Sequence, residues 1–259
     1  MTSEKTRQPV PKLASPRITV VATDHDVAVM AANRVAHVLS VDPAAVISLP
    51  TGSTPLGMYR EILRRLDEGS MDISKMNLFL LDEYLGQTRE DEASLTNWLV
   101  KEFLGPGNID ENVHYVPADA ADPDAAALQY EAELAALGGL RLAVLGLGPN
   151  GHIAFNEPGS EADSRTRVLA LTPESLDQSS AYWNGREEIP AMAMTVGVAT
   201  LLEADQIVLI VTGDNKAEIL RRALEEPMSA DVPASWLRLA GSRLEVIVDK
   251  AASSLLTGH

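Results

Sequence analysis

Apolar residues along this chain fall into short unbroken runs separated by stretches with a helical period. Ile18, Val20 and Val21 make a short strand. Asp24 stands where it can cap a helix whose Val27, Met30, Ala31, Val35 and Val38 recur at three- and four-residue steps. The unit then repeats. A run over 46–49 leads through Pro50-Thr51-Gly52-Ser53-Thr54-Pro55 into a helix with Tyr59, Ile62, Leu63 and Leu66 on one face, and another strand spans 77–81. An acid-rich loop, a helix over 94–103, a strand near 113–116 and an alanine-rich helix over 123–137 precede a strongly apolar strand at 142–145. The last third gives a strand at 207–211, a helix at 215–224 and a closing strand at 244–248. Continuous apolar strands alternating with amphipathic helices predict one α/β domain over 17–259, a doubly wound, mainly parallel sheet with helices on both faces. Residues 1–16 are polar, carry three prolines and show no apolar period, so they read as a flexible arm.

Composition narrows the partners. A hydrophobic fraction of 46% with 22% charged residues fits a globular core. The 37 acidic side chains against 21 Lys and Arg give a formal charge of −16, which argues against nucleic acid and against an anionic membrane surface. Any anionic ligand must be held by a small local site against that field. The chain has no cysteine, which removes disulfides, thiolate metal sites and a Cys nucleophile together. No apolar run approaches the roughly 20 residues that span a bilayer, and the N-terminus lacks a signal-peptide core, so a cytoplasmic protein is expected.

In a doubly wound sheet, ligands bind beyond the carboxyl ends of the strands at a topological switch point, and three strand exits carry unusual residues. After the strand at 46–49, Gly52 permits a tight turn, Ser53 and Thr54 offer hydroxyls and a cap, and Pro55 suits a first helical position. The segment outlines an anion cradle, without the Lys of a nucleotide-binding loop. After Leu81 come Asp82 and Glu83, where the chain leaves the sheet. Adjacent side chains on an extended chain point opposite ways, so one acid can face a pocket as a general base while the other caps the next element or is solvated.

After Leu145, Gly146-Leu147-Gly148-Pro149-Asn150-Gly151 matches G-x-G-x-x-G. Its place past mid-chain, and the interruption at Pro158 and Gly159, argue against a dinucleotide site. His152, Asn156 and Glu157 follow at once, and a His oriented by a carboxylate can move protons at neutral pH. No second His stands at metal-ligand spacing, so no metal is expected. His25, His37, His114 and His259 read as structural. Glu90-Asp91-Glu92 reads as a solvated helix start, with a lid as the alternative.

The segments LPTGSTP, LDEYLG, LGLGPNGHIAFNEPGS, SRTR, TVGVATLL and VTGDNKA, in that order, resemble the glucosamine-6-phosphate deaminase/isomerase family, related to the 6-phosphogluconolactonases. The lactonase branch continues differently after Gly151-His152, so HIAFNEPG favours the aminosugar branch. The resemblance implies a Rossmann-like sugar-phosphate isomerase fold. It also implies conversion of glucosamine 6-phosphate to fructose 6-phosphate and ammonia without a cofactor. Galactosamine 6-phosphate, or less readily a phosphogluconolactone, is the alternative substrate.

By the same resemblance, Asp82 is the base at C2, and His152 moves the ring-oxygen proton with Glu157 orienting it. Thr51, Gly52, Ser53, Thr54 and Lys216 hold the phosphate, and a homo-oligomer is compatible with the family. Two departures stand out. Asn150 occupies the place of an aspartate, and an amide there is expected to hydrogen-bond the imidazole without adding charge. Ala181 falls about where a phosphate-contacting arginine is found, with Arg186 nearby. The chain stops at His259, shortly after its last predicted strand, which implies weak or absent allosteric activation.

Overall fold

A computed structural model describes residues 15–180 and 189–257. Seven strands form a parallel sheet: β1 (Arg17–Val21), β2 (Val46–Ser48), β3 (Asn77–Phe79), β5 (Val113–His114), β6 (Leu142–Gly146), β9 (Gln206–Val211) and β10 (Leu244–Asp249), in the order β1-β10-β9-β6-β2-β3-β5. The apolar runs of the central strands, 142–145, 207–211 and 246–248, are buried, as a sheet covered on both faces requires. From β2 the chain moves outward to β3 on one side, and from β6 it moves to β9 on the other. The neighbours β2 and β6 therefore flank the switch point.

Among the described residues, the α-helices are α1 (Asp24–Val41), α2 (Leu56–Asp67), α3 (Leu95–Leu99), α4 (Pro123–Ala136), α5 (Pro173–Ser179), α6 (Val198–Leu202) and α7 (Ala217–Glu225). Of these, α1 packs on β10, β9 and β6 and against α2. Its cap is Thr23 rather than Asp24. Asp26 N–H donates to Thr23 Oγ1 at 3.2 Å and Thr23 N–H to Asp26 Oδ2 at 3.0 Å, a reciprocal box that leaves Asp24 in the first turn. The expected 94–103 helix starts at its Ser94 cap but widens into π-helical turns over Val100–Leu104. The helix expected at 215–224 begins as a 3-10 turn, Asp214–Lys216, before α7.

The largest departure from the sequence reading is a second sheet. The strand expected at 77–81 ends at Phe79, and Asp82–Tyr84, read as the point where the chain leaves the sheet, is strand β4. It pairs antiparallel with β8 (Met192–Thr195), which pairs antiparallel with β7 (Arg167–Ala170). The pairing places Asp82 opposite Thr195 and fixes which acid faces where. His25 and His37 are exposed. His114 stacks on Phe79 at 4.0 Å with Nδ1 2.6 Å from Glu133 Oε1, and His259 lies outside the described residues.

Candidate active site

The exits of β2 and β6, the start of β4, the first turns of α3 and α5, and the 3-10 turn after β9 converge on a cavity of about 230 Å³. Thr51, Gly52, Ser53, Thr54, Asp82, His152 and Lys216 all line it, and Asn150 and Glu157 stand behind it. The residues singled out from three separate strand exits are thus brought to one place.

At one end, the turn after β2 runs through Gly52 at φ 101°, a conformation a Cβ would strain. The expected side-chain cap is absent: α2 starts after Pro55 without one. The amides and hydroxyls of 51–54 donate to no acceptor among the described residues, so they remain available at the positive end of a helix dipole. Lys216 faces the same cavity without an ion-pair partner among the described residues, and its burial lowers its pKa. A second cation, Lys101, reaches the cavity from the π-helical turns.

β4 separates its two acids. Glu83 points away and accepts from Tyr84 N–H at 2.9 Å, Leu95 N–H at 3.0 Å, Thr96 N–H at 2.9 Å and the Ser94 hydroxyl at 2.8 Å, so it holds the start of α3. Asp82 points into the cavity and its carboxylate has no hydrogen-bond partner among the described residues. Burial pushes its pKa up to about 7, with the charge of Glu83 adding to the effect. Glu83→Ala is expected to cost about 2–4 kcal/mol in chemical denaturation, since four donors lose their acceptor in a buried place.

His152 lies on a tight turn. Ala154 takes a left-handed φ of 49° without being glycine, and Asn156 pins the turn through Nδ2 to the carbonyls of Ile153 at 3.0 Å and Val196 at 2.8 Å. The ring packs against the bare face of Gly148: a Cβ there would stand 2.2 Å from Nε2. Behind the ring, Nδ1 is 3.6 Å from Glu157 Oε2, a charge contact rather than a hydrogen bond. Burial opposes ionisation of Glu157, but its contacts with His152, Ser175 and Asn150 outweigh burial and hold its pKa at about 2.

Asn150 does not touch the imidazole, contrary to expectation. Its Oδ1 accepts from the His152 backbone N–H at 3.1 Å, while its Nδ2 donates to Glu157 Oε2 at 2.7 Å and to Thr172 Oγ1 at 2.9 Å. A carboxylate placed as this amide is would confront that of Glu157.

The family model for glucosamine-6-phosphate isomerases/6-phosphogluconolactonase matches residues 20–246. The chain belongs to this family. It is 40% identical over 240 residues to a glucosamine-6-phosphate deaminase of Corynebacterium aurimucosum, covering 92% of this chain and 93% of that one. Identity to a deaminase of Corynebacterium glutamicum is 42% over 212 residues, covering 81% and 83%. Among solved structures, a monomeric glucosamine-6-phosphate deaminase of the NagB superfamily superposes with a TM-score of 0.89 at 32% identity, over 92% of this chain and 99% of that one. A 6-phosphogluconolactonase from Trypanosoma brucei reaches 0.74 at 20% identity, over 94% and 100%, a likeness of fold alone.

Within this isomerase family member, several cavity residues carry no local signal in the sequence: Lys101, Trp98, Ser175 and Gln178. Trp98 and Lys101 are three residues apart, a spacing that helical periodicity could have placed on one face. The acidic stretch splits: Asp91 closes a turn by accepting from Thr88 N–H at 2.7 Å, whereas Glu92 lines the cavity. Ala181 and Arg186 lie outside the described residues. Among the described residues, no group of three or more His, Cys, Asp or Glu side chains could hold a metal ion, and no helix is long and apolar enough to cross a membrane.

Proposed function

We propose that this protein is a glucosamine-6-phosphate deaminase, converting glucosamine 6-phosphate and water to fructose 6-phosphate and ammonia. The observation that carries the reading is a single buried carboxylate, Asp82, facing a cavity with an imidazole on one wall and an amide-lined helix start with Lys216 at one end. The phosphate sits on the 51–54 turn and Lys216, where neutral donors suit a dianion in a protein of charge −16. His152 moves the proton of the ring oxygen and releases the C1 aldehyde. Asp82 then removes the proton at C2, which the aldehyde acidifies, and delivers it to C1 through an enolamine. Water adds to the resulting C2 imine and ammonia leaves. A carboxyl with a pKa near neutrality can both take and return that proton.

A cytoplasmic location fits a phosphorylated sugar substrate.

Ammonia release should be measured from glucosamine 6-phosphate and galactosamine 6-phosphate, beside hydrolysis of 6-phosphogluconolactone. The expected result is ammonia with the highest kcat/KM for the glucosamine epimer. Turnover of the lactone alone would overturn the reading. Lys216→Ala is expected to raise KM about 10- to 100-fold with little change in kcat, because a charged contact remote from the reacting carbons serves ground and transition states alike. Initial-rate kinetics check it, and a loss confined to kcat would contradict it.

A further inference from the structure

The group nearest the inner nitrogen of His152 is a hydroxyl. Ser175 Oγ lies 3.1 Å from Nδ1, within hydrogen-bond range, while Glu157 Oε2 stands off at 3.6 Å. Glu157 is drawn elsewhere: Oε2 accepts from Asn150 Nδ2 at 2.7 Å and from the Thr172 hydroxyl at 3.1 Å. Ser175 itself is only 1% exposed and sits in the first turn of α5, where its backbone N–H donates to Thr172 Oγ1 at 3.3 Å.

The donor and acceptor inventory fixes the protons. An ionised carboxylate only accepts, so a bare Nδ1 lone pair beside Glu157 would be repelled. Nδ1 therefore carries hydrogen and Ser175 Oγ accepts it. The hydroxyl thus fills the acceptor place at Nδ1 that Glu157, 3.6 Å away and held by Asn150 and Thr172, leaves open. Nε2, over Gly148, has no partner among the described residues and is left as the nitrogen that meets a ligand.

We propose that Ser175 is a positioning residue that accepts the Nδ1–H hydrogen of His152 in place of Glu157 and so holds that tautomer, leaving Nε2 to exchange the substrate's proton. The proposal rests on the proposed reading for its chemistry, and its test separates the two. Imidazole nitrogen NMR of labelled, substrate-free enzyme above pH 8, with His152 assigned from the spectrum of His152→Gln, reads the tautomer directly. The wild type should show Nδ1–H alone. Ser175→Ala should add the Nε2–H form, and Ser175→Thr, which keeps the hydroxyl, should restore the wild-type pattern.

In turnover of glucosamine 6-phosphate, Ser175→Ala should lower kcat about tenfold or more, below the full 10²–10⁴ of a general acid–base group, with KM nearly unchanged. Ser175→Thr should recover most of that loss. An unaltered tautomer in Ser175→Ala would overturn the proposal even if the wild type releases ammonia. A tautomer shift in a protein that turns over no aminosugar phosphate would instead overturn the substrate reading and leave the role of Ser175 standing.

Discussion

Asp82→Asn is expected to lower kcat/KM for glucosamine 6-phosphate roughly 10²- to 10⁴-fold, to stop exchange of the C2 hydrogen with solvent, and to stabilise the protein at alkaline pH. The two effects share a cause. The carboxyl is buried without a hydrogen-bond partner among the described residues, and its pKa stands at about 7 against an ordinary 3.8. An acid whose pKa is raised by folding binds its proton more tightly in the native state. Its favourable contribution is complete below about pH 4 and is lost as pH rises through about 7. Above that, the buried charge costs on the order of 2–4 kcal/mol. Asparagine keeps the shape and never ionises, so the gain should be near zero at pH 4 and fully present at pH 8.

Thermal denaturation of both proteins at those two pH values checks this, with deuterium exchange at C2 as the catalytic readout. Equal stability at pH 8, or retained exchange, would contradict it. The same carboxyl must be ionised to act as a base, so the wild-type kcat/KM should climb with pH through about 7.

Gly148→Ala should be nearly as damaging as His152→Gln, although it removes no reactive group. The added methyl would stand 2.2 Å from Nε2, 2.3 Å from Cδ2 and 2.4 Å from Cε1, so the imidazole must leave its place. Both variants should lose about 10²- to 10³-fold in kcat on the cyclic substrate. Both should lose much less on an open-chain analogue, which needs no ring opening. Binding of inorganic phosphate at the site proposed on the 51–54 turn and Lys216 should survive in each. Gly148→Ala with near-normal turnover would show that the ring need not lie over Gly148 for reaction.

How much of this was legible in the sequence depends on the range over which each feature is decided. Leu142–Leu145 and Ile207–Val211 declare buried parallel strands because both their faces are covered by the fold. The three exits follow from the same logic, and Asp82 and His152 fall where that logic points, whereas Lys216, past the exit of β9, was legible only through the family resemblance. The antiparallel sheet was hidden because its strands are short and β4 is polar, with Glu83 buried against the start of α3 and Asp82 in the cavity wall. The role of Asn150 was misjudged on similar grounds. Its neighbour His152 suggests an imidazole contact, whereas Asn150 meets only the backbone N–H of that residue and its amide hydrogens go to residues 157 and 172. Ser175 had no chance of notice, being a common helix-start residue whose meaning comes from a ring 23 positions away.

The pairing of β4 with β8 works as a ruler. Side chains alternate along a strand, so a shift of one residue against Thr195 would turn Glu83 into the cavity and leave Asp82 to hold the start of α3. The shorter acid would not reach the three amides that Glu83 now serves, and the longer one would crowd the place proposed for the C2 hydrogen. Leu80 and Leu81, the buried link between the two sheets, set that count. An insertion or deletion there would keep both acids in the sequence, and every motif readable, in an enzyme whose base faces the wrong way.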